Sequence, residues 1–177
     1  ALVLSRVPQI INKNLSKSIH LAFSYDEEIG CVGIHRLIDL LSGSKFKPTL
    51  CIVGEPTNME VVIGHKGKSG HEVEVKGLAC HSGQAPLGVN AINYAAKLIS
   101  FISDLAKDKS SYGPFDYDYE IPYTTLHTGV ISGGSVVNIV PETCNFEFEI
   151  RYLKEEKPEE LIKKIKAYSK EFLIPEM

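Results

Sequence analysis

Hydrophobic and polar positions change their period along this chain, and the changes divide it. Residues 1–11 (ALVLSRVPQII) place apolar side chains at helical spacing. Residues 19–25 alternate and are β-prone, which predicts a strand. Ile34, Leu37, Ile38 and Leu41 return to helical spacing, and Gly43 is placed to stop that helix. PTLCIVGEP is apolar without a break until Gly54, Glu55 and Pro56. That is the pattern of a strand covered on both faces, as in a parallel sheet. Helix, strand, helix, strand makes part of an α/β unit.

Beyond residue 63 the pattern changes. KSGHEVEVKG alternates, with Val73 and Val75 on one face and His71, Glu72, Glu74 and Lys76 assigned to the polar side, so a half-solvated strand is expected. GVNAINYAAKLISFISDLAK is a long helix whose stripe is read as Ile92, Ala95, Ala96, Ile99 and Ile102. SSYGPFDYDYEIPY is a polar, aromatic loop. TTLHTGVISGG and TCNFEFEIRYL are two further strands, the second with Phe146, Phe148 and Ile150 on one face. KPEELIKKIKAYSKEFL closes as a helix, with Pro158 near its start and lysines in its later half. The order β-α-β-β-α is one strand short of a split ferredoxin-like unit. Two domains are therefore expected, over 1–63 and 64–177.

Composition narrows the function. The chain has 177 residues, 44% hydrophobic and 23% charged, with net charge −3. No basic patch points to nucleic acid, and no apolar run reaches the roughly 20 residues that span a bilayer. Four scattered cysteines, Cys31, Cys51, Cys80 and Cys144, form no CxxC pair. That suits reduced thiols in the cytoplasm. The chain starts at Ala1 and stops at FLIPEM, and both ends read as those of an internal fragment.

The first expected strand ends on Asp26, Glu27 and Glu28, and the second on Glu55. In open α/β sheets ligands bind outside the carboxyl ends of the strands, so acids there would share one crevice. Crowded carboxylates are costly unless protonated or paired with a cation, and they are good zinc ligands. Adjacent Glu27 and Glu28 point to opposite sides of an extended backbone, so one could hold a metal while the other faces a water. Asp26 equally suits a helix N-cap, with the acids after it favouring the helix dipole.

SYDEEIGCVG, VGEPT, GLACHSGQAPLGVNAI and GGSVVNIVPE followed by FEFEIRY, in that order, resemble the zinc-dependent aminoacylase and peptidase family. That family includes acetylornithine deacetylase, succinyl-diaminopimelate desuccinylase and glutamate carboxypeptidase; the wording is most similar to the first. The resemblance implies a parallel-sheet catalytic α/β domain over 1–63, followed by a ferredoxin-like lid that dimerises, over 64–177. It implies two Zn2+ ions in an intact site, with Co2+ as a substitute. It makes Glu27 the general base, and Glu28 and Glu55 ligands of the two metals. His81 becomes the lid histidine that reaches a partner's active site and polarises the scissile carbonyl. Asn138 and Arg151 hold the substrate carboxylate, and Gly133 and Gly134 shape the turn before Asn138.

The implied partners are a small N-acyl amino acid and a second copy of the chain, with no nucleic acid and no membrane. The implied reaction is hydrolysis of N-acetylornithine to ornithine and acetate, a step of arginine biosynthesis, with desuccinylase or carboxypeptidase activity as alternatives. Several family features are missing. There is no His-x-Asp motif, and neither the metal-bridging aspartate nor the late histidine ligand has a counterpart. Ser132 also stands where a histidine often precedes the paired glycines. The chain alone is expected to be inactive, and a non-catalytic dimerisation module or split-gene remnant is the competing expectation. The remaining histidines, His20, His35, His65, His71 and His127, are read as structural or surface residues.

Overall fold

The computed structural model describes residues 2–45 and 47–177. The chain divides into two units, Ala1–Pro56 and Thr57–Met177.

The first unit carries two helices, α1 (Leu2–Ile11) and α2 (Ile34–Ser42). Gly43 closes α2 as the spacing predicts, but in the right-handed region, with its N–H donating to the Asp39 carbonyl at 3.1 Å. The two stretches expected as parallel strands, 19–25 and the run before Glu55, join no sheet among the described residues. A strand exists only through a neighbour's hydrogen bonds, and the sheet that does form lies wholly in the second unit. Leu50, Ile52 and Val53 accordingly lie exposed. Between Tyr25 and α2 the backbone turns rather than starting a helix. Asp26 has φ +54, and the Glu27 carbonyl accepts from Gly30 and Cys31 N–H at 3.0 and 2.8 Å. Asp26 is thus no N-cap; Gly33 takes that place.

The second unit holds β1 (Gly67–Lys76), α3 (Ala91–Tyr112), β2 (Thr125–Gly133), β3 (Thr143–Tyr152) and α4 (Pro158–Tyr168). The sheet is antiparallel in the order β1-β3-β2. Its alternation reflects one packed and one wet face: Cys144, Phe146, Phe148 and Ile150 of β3 are buried, while Asn145 and Glu147 between them and Arg151 after them are exposed. α3 and α4 cover the packed face, burying Leu98, Ile102 and Leu105 from one and Leu161 and Ile165 from the other.

Two expectations shift by one position. The buried seam of α3 is Ala91, Ala95, Leu98, Ile102 and Leu105, so Ala96 is exposed and Ile92 and Ile99 are only half-buried. Steps of four and three from Ala91 track the sheet, and alanines at 91 and 95 let the helix approach it closely. His71 faces inward with Val73 and Val75, as a period of two requires. Its ring stacks on Phe148 at 5.1 Å, and Nε2 lies 2.8 Å from Ser69 Oγ. Burial and the nearby Lys166 charge lower its pKa.

Outside the sheet, one buried polar network ties three segments. Glu156 accepts from Lys109 at the end of α3 and from the hydroxyl of fully buried Thr124, and that hydroxyl accepts from Leu153 N–H at 3.1 Å. The aromatic loop between α3 and β2 is held by Lys66, whose ammonium donates to the Tyr123 carbonyl at 2.5 Å and lies 5.7 Å from the Tyr119 ring centre. Among the described residues no helix is long and apolar enough to cross a membrane, and all four cysteines are free thiols.

Candidate functional site

The residues singled out from the sequence fall into three places. In the first unit, Glu27 and Glu28 sit in the exposed turn before α2, and Glu55 lies in an exposed connection. The Glu27 carboxylate accepts from the Cys31 thiol at 3.8 Å. Among the described residues no three His, Cys, Asp or Glu side chains are grouped to hold a metal ion. A catalytic zinc typically takes three protein ligands, and the two carboxylates expected as ligands, Glu28 and Glu55, fall short of that number. The acids of this chain do not by themselves fit a zinc site.

In the second unit, four of the residues gather at the N-terminal end of β3. The segments around His81 and Ile139 form an antiparallel bridge. Ser82 N–H donates to the Asn138 carbonyl at 2.9 Å, and Val140 N–H to the Cys80 carbonyl at 2.8 Å. The bridge sets exposed His81 and Asn138 on adjoining loop segments that are far apart in sequence. Gly133 pairs with Cys144, and a Cβ there would stand 2.9 Å from the Cys144 sulfur. Gly134 has φ +75, a backbone that β-carbon residues avoid. The two glycines thus let β2 close on β3 and turn away toward Asn138.

His81 begins a 3-10 segment, Ser82–Leu87. It has extended backbone (φ −64, ψ 140), and its Nδ1 accepts from Gly83 N–H at 3.1 Å. The ring is exposed.

Arg151 stands apart from these four, near the opposite end of β3. It lies eight residues on from Thr143, roughly 27 Å at 3.4 Å per residue. It is on the wet face, opposite Lys68 and Thr125. Its Nε and Nη2 donate to Glu149 at 3.0 and 3.4 Å, and Lys68 lies 3.9 Å from the same carboxylate. Those bonds use two of the five guanidinium donors.

Glu149 was not singled out from the sequence, yet Glu-x-Arg on one strand face is a readable pair, because i and i+2 share a face. Arg151's hydrogen bond, then its charge and those of Lys68 and His127, hold the Glu149 carboxyl below its ordinary range against the opposing effect of burial. A depressed carboxyl stabilises the fold above its unfolded pKa, near 4.3, and that stability is lost as pH falls through the folded value. The stability gap between wild type and Glu149→Gln should therefore be full at about pH 6 and close below about pH 4. Urea midpoints across that range check it; a gap that ignores pH would show that the pair contributes nothing through charge.

Gly83 also went unread. Its signal is the glycine two residues after His81, meaningful only once the loop's hydrogen bonds are known.

Residues 63–176 match the family model of the peptidase dimerisation domain. Acetylornithine deacetylase of Aliivibrio salmonicida is 31% identical over 153 residues, which is 86% of this chain and 39% of that protein. A probable carboxypeptidase of Aspergillus clavatus is 34% identical over 145 residues, 82% of this chain and 34% of the relative. A solved structure from methicillin resistant Staphylococcus aureus, assigned as an aminohydrolase, shares the fold at TM-score 0.50 and 18% identity, over 59% of this chain and 26% of that one. The chain thus spans well under half the length of these relatives.

Proposed function

This chain belongs to the peptidase dimerisation domain family, and we propose on that footing that it serves a metal-dependent amidohydrolase acting on N-acyl amino acids. N-acetylornithine is the proposed substrate, on the likeness to acetylornithine deacetylase. In this reading water attacks the acyl carbon while Glu27 takes its proton. His81 Nε2–H donates to the oxygen that becomes negative. The C–N bond then breaks, and Glu27 returns the proton to the leaving amine. Asn138 and Arg151 bind the substrate's carboxylate. No step is assigned to a metal, since the acids of this chain do not complete a site for one.

The observation that carries the reading is the placement of the lid residues. His81 and Asn138 stand at one end of β3 and Arg151 near the other, roughly 27 Å along the strand. An acylated amino acid is far shorter. One substrate can meet both groups only if they come from different copies, which is what a dimerising lid would provide. We therefore place His81 and Asn138 in a partner's site and Arg151 in its own, in a homodimer.

The test compares the 177-residue chain with the longest reading frame that contains it. Light scattering should give a dimer for both. Hydrolysis is measured on N-acetylornithine, N-succinyl-diaminopimelate and acyl-glutamates after zinc loading. The longer frame should turn over N-acetylornithine fastest; the 177-residue chain should show no turnover and sub-stoichiometric zinc. Preference for an acyl-glutamate would replace the substrate with that of a carboxypeptidase, a reading consistent with the Aspergillus relative. No turnover by the longer frame would leave a non-catalytic dimerisation module.

A further inference from the structure

We propose that Gly83 is a positioning residue for His81: its main-chain N–H fixes the imidazole as the Nε2–H tautomer and turns that one donor outward. A neutral imidazole has one ring nitrogen that donates and one that accepts. Gly83 N–H points at Nδ1 from 3.1 Å. A backbone N–H can only donate, so Nδ1 accepts and the proton resides on Nε2.

The frame around this bond is fixed at three points. The His81 carbonyl accepts from Gln84 N–H at 2.8 Å, Ser82 N–H donates to the Asn138 carbonyl at 2.9 Å, and Val140 N–H donates to the Cys80 carbonyl at 2.8 Å. These bonds fix the main chain on both sides of the ring, and the ring itself is held in that frame by the Gly83 bond. Gly83 acts through its missing side chain as well. A Cβ there would stand 3.3 Å from Nδ1 and 3.8 Å from Cε1, tight against the ring edge that the N–H must approach. Among the described residues Nε2 has no hydrogen-bond partner.

The consequence is a restriction on chemistry. With Nδ1 occupied and Nε2 protonated, His81 has no free lone pair. It can donate to a carbonyl, carboxylate or oxyanion oxygen, but it cannot take a proton from water or ligate a metal without first losing the Gly83 bond. This rests on the proposed function only for the identity of the acceptor; the tautomer stands on the loop geometry.

The test is the long-range ring 15N–1H correlation spectrum of the 15N-labelled 177-residue chain, recorded above the ordinary histidine pKa. His81→Gln identifies the His81 signals. The expected spectrum is the Nε2–H pattern, with the tautomer ratio biased about five-fold relative to Gly83→Pro, the size of effect one hydrogen bond supplies. Gly83→Ala keeps the N–H and should keep the tautomer while shifting the ring signals. An Nδ1–H pattern in the wild type overturns the proposal, whatever the variants do. So does an unchanged ratio in a Gly83→Pro protein whose strand amide signals match wild type. A finding that His81→Gln in the longest reading frame hydrolyses as fast as its wild type would instead remove the proposed function and leave the tautomer assignment standing.

Discussion

Phe146→Ala should cost the Thr57–Met177 unit about 3–5 kcal/mol of unfolding free energy, the range for emptying a packed aromatic site. Phe146 is 1% exposed and sits mid-way along β3, the central strand. Val73 and Ile131 lie directly opposite it on the two flanking strands, and the Phe148 ring is 6.2 Å away. Both flanking strands are pinned to β3 by backbone ladders, and α3 packs across the same face. The walls of the resulting cavity cannot collapse inward without breaking a ladder, so most of its cost should persist. A domain of this size holds about 5–15 kcal/mol in all. The variant would therefore lose about a fifth or more of its margin. Val130→Ala is the control: Val130 is 54% exposed on β2, and its loss should fall within about 0.5 kcal/mol. Urea unfolding followed by circular dichroism reads both. A cost below about 1.5 kcal/mol for Phe146→Ala would mean that the helices and sheet are not packed as described.

That core was legible because a sheet with one wet face writes its orientation into the sequence. Phe146, Phe148 and Ile150 alternate with Asn145, Glu147 and Glu149, and a shift by one residue would bury the charges. The same rule placed His71 inward, where its polarity had argued for the outside; periodicity outweighed residue type because Ser69 and Phe148 give the ring a hydrogen bond and a stacking surface. The seam of α3 was harder to read. Ile92 and Ala96 are as apolar as the residues that are buried, so composition could not choose between adjacent faces. In the first unit, Leu50, Ile52 and Val53 read as strand, but a strand's hydrogen bonds belong to its neighbour, which no local pattern supplies. The Asp26 turn was hidden for another reason: a positive φ at a non-glycine residue has no reliable residue signature.

The candidate site divides along the same line. Motif resemblance pointed to His81, Asn138, Gly133 and Gly134 separately, and the bridge between His81 and Ile139 explains why the first two are neighbours. The strand expected over TCNFEFEIRYL already separates Asn138 from Arg151; what the sequence does not show is that His81 joins Asn138 at its start. The extended course of β3 makes Asn138 and Arg151 distant.

That separation supports the second large effect, in the longest reading frame that carries this chain. His81→Ala should lower kcat about 10²–10³-fold, the loss expected for one oxyanion donor. Arg151→Ala should act mainly on KM, by removing a charge-assisted contact to the carboxylate, and enough of it to silence turnover at low substrate. Each variant fails in every site of its own homodimer. After subunit exchange the mixed dimer behaves differently if the groups act from opposite copies. One of its sites then combines Arg151 from the His81→Ala chain with His81 from the Arg151→Ala chain, and so is intact. The other site lacks both. Activity should reappear on mixing, with the wild-type KM, and should depend on the exchange having taken place. If His81 and Arg151 served a site within one chain, each copy in the mixture would still lack one of them, and mixing would restore nothing. Failure of recovery, with exchange verified by mass, would overturn the shared site while leaving the roughly 27 Å along β3 to be explained by a substrate that contacts only one of the two groups.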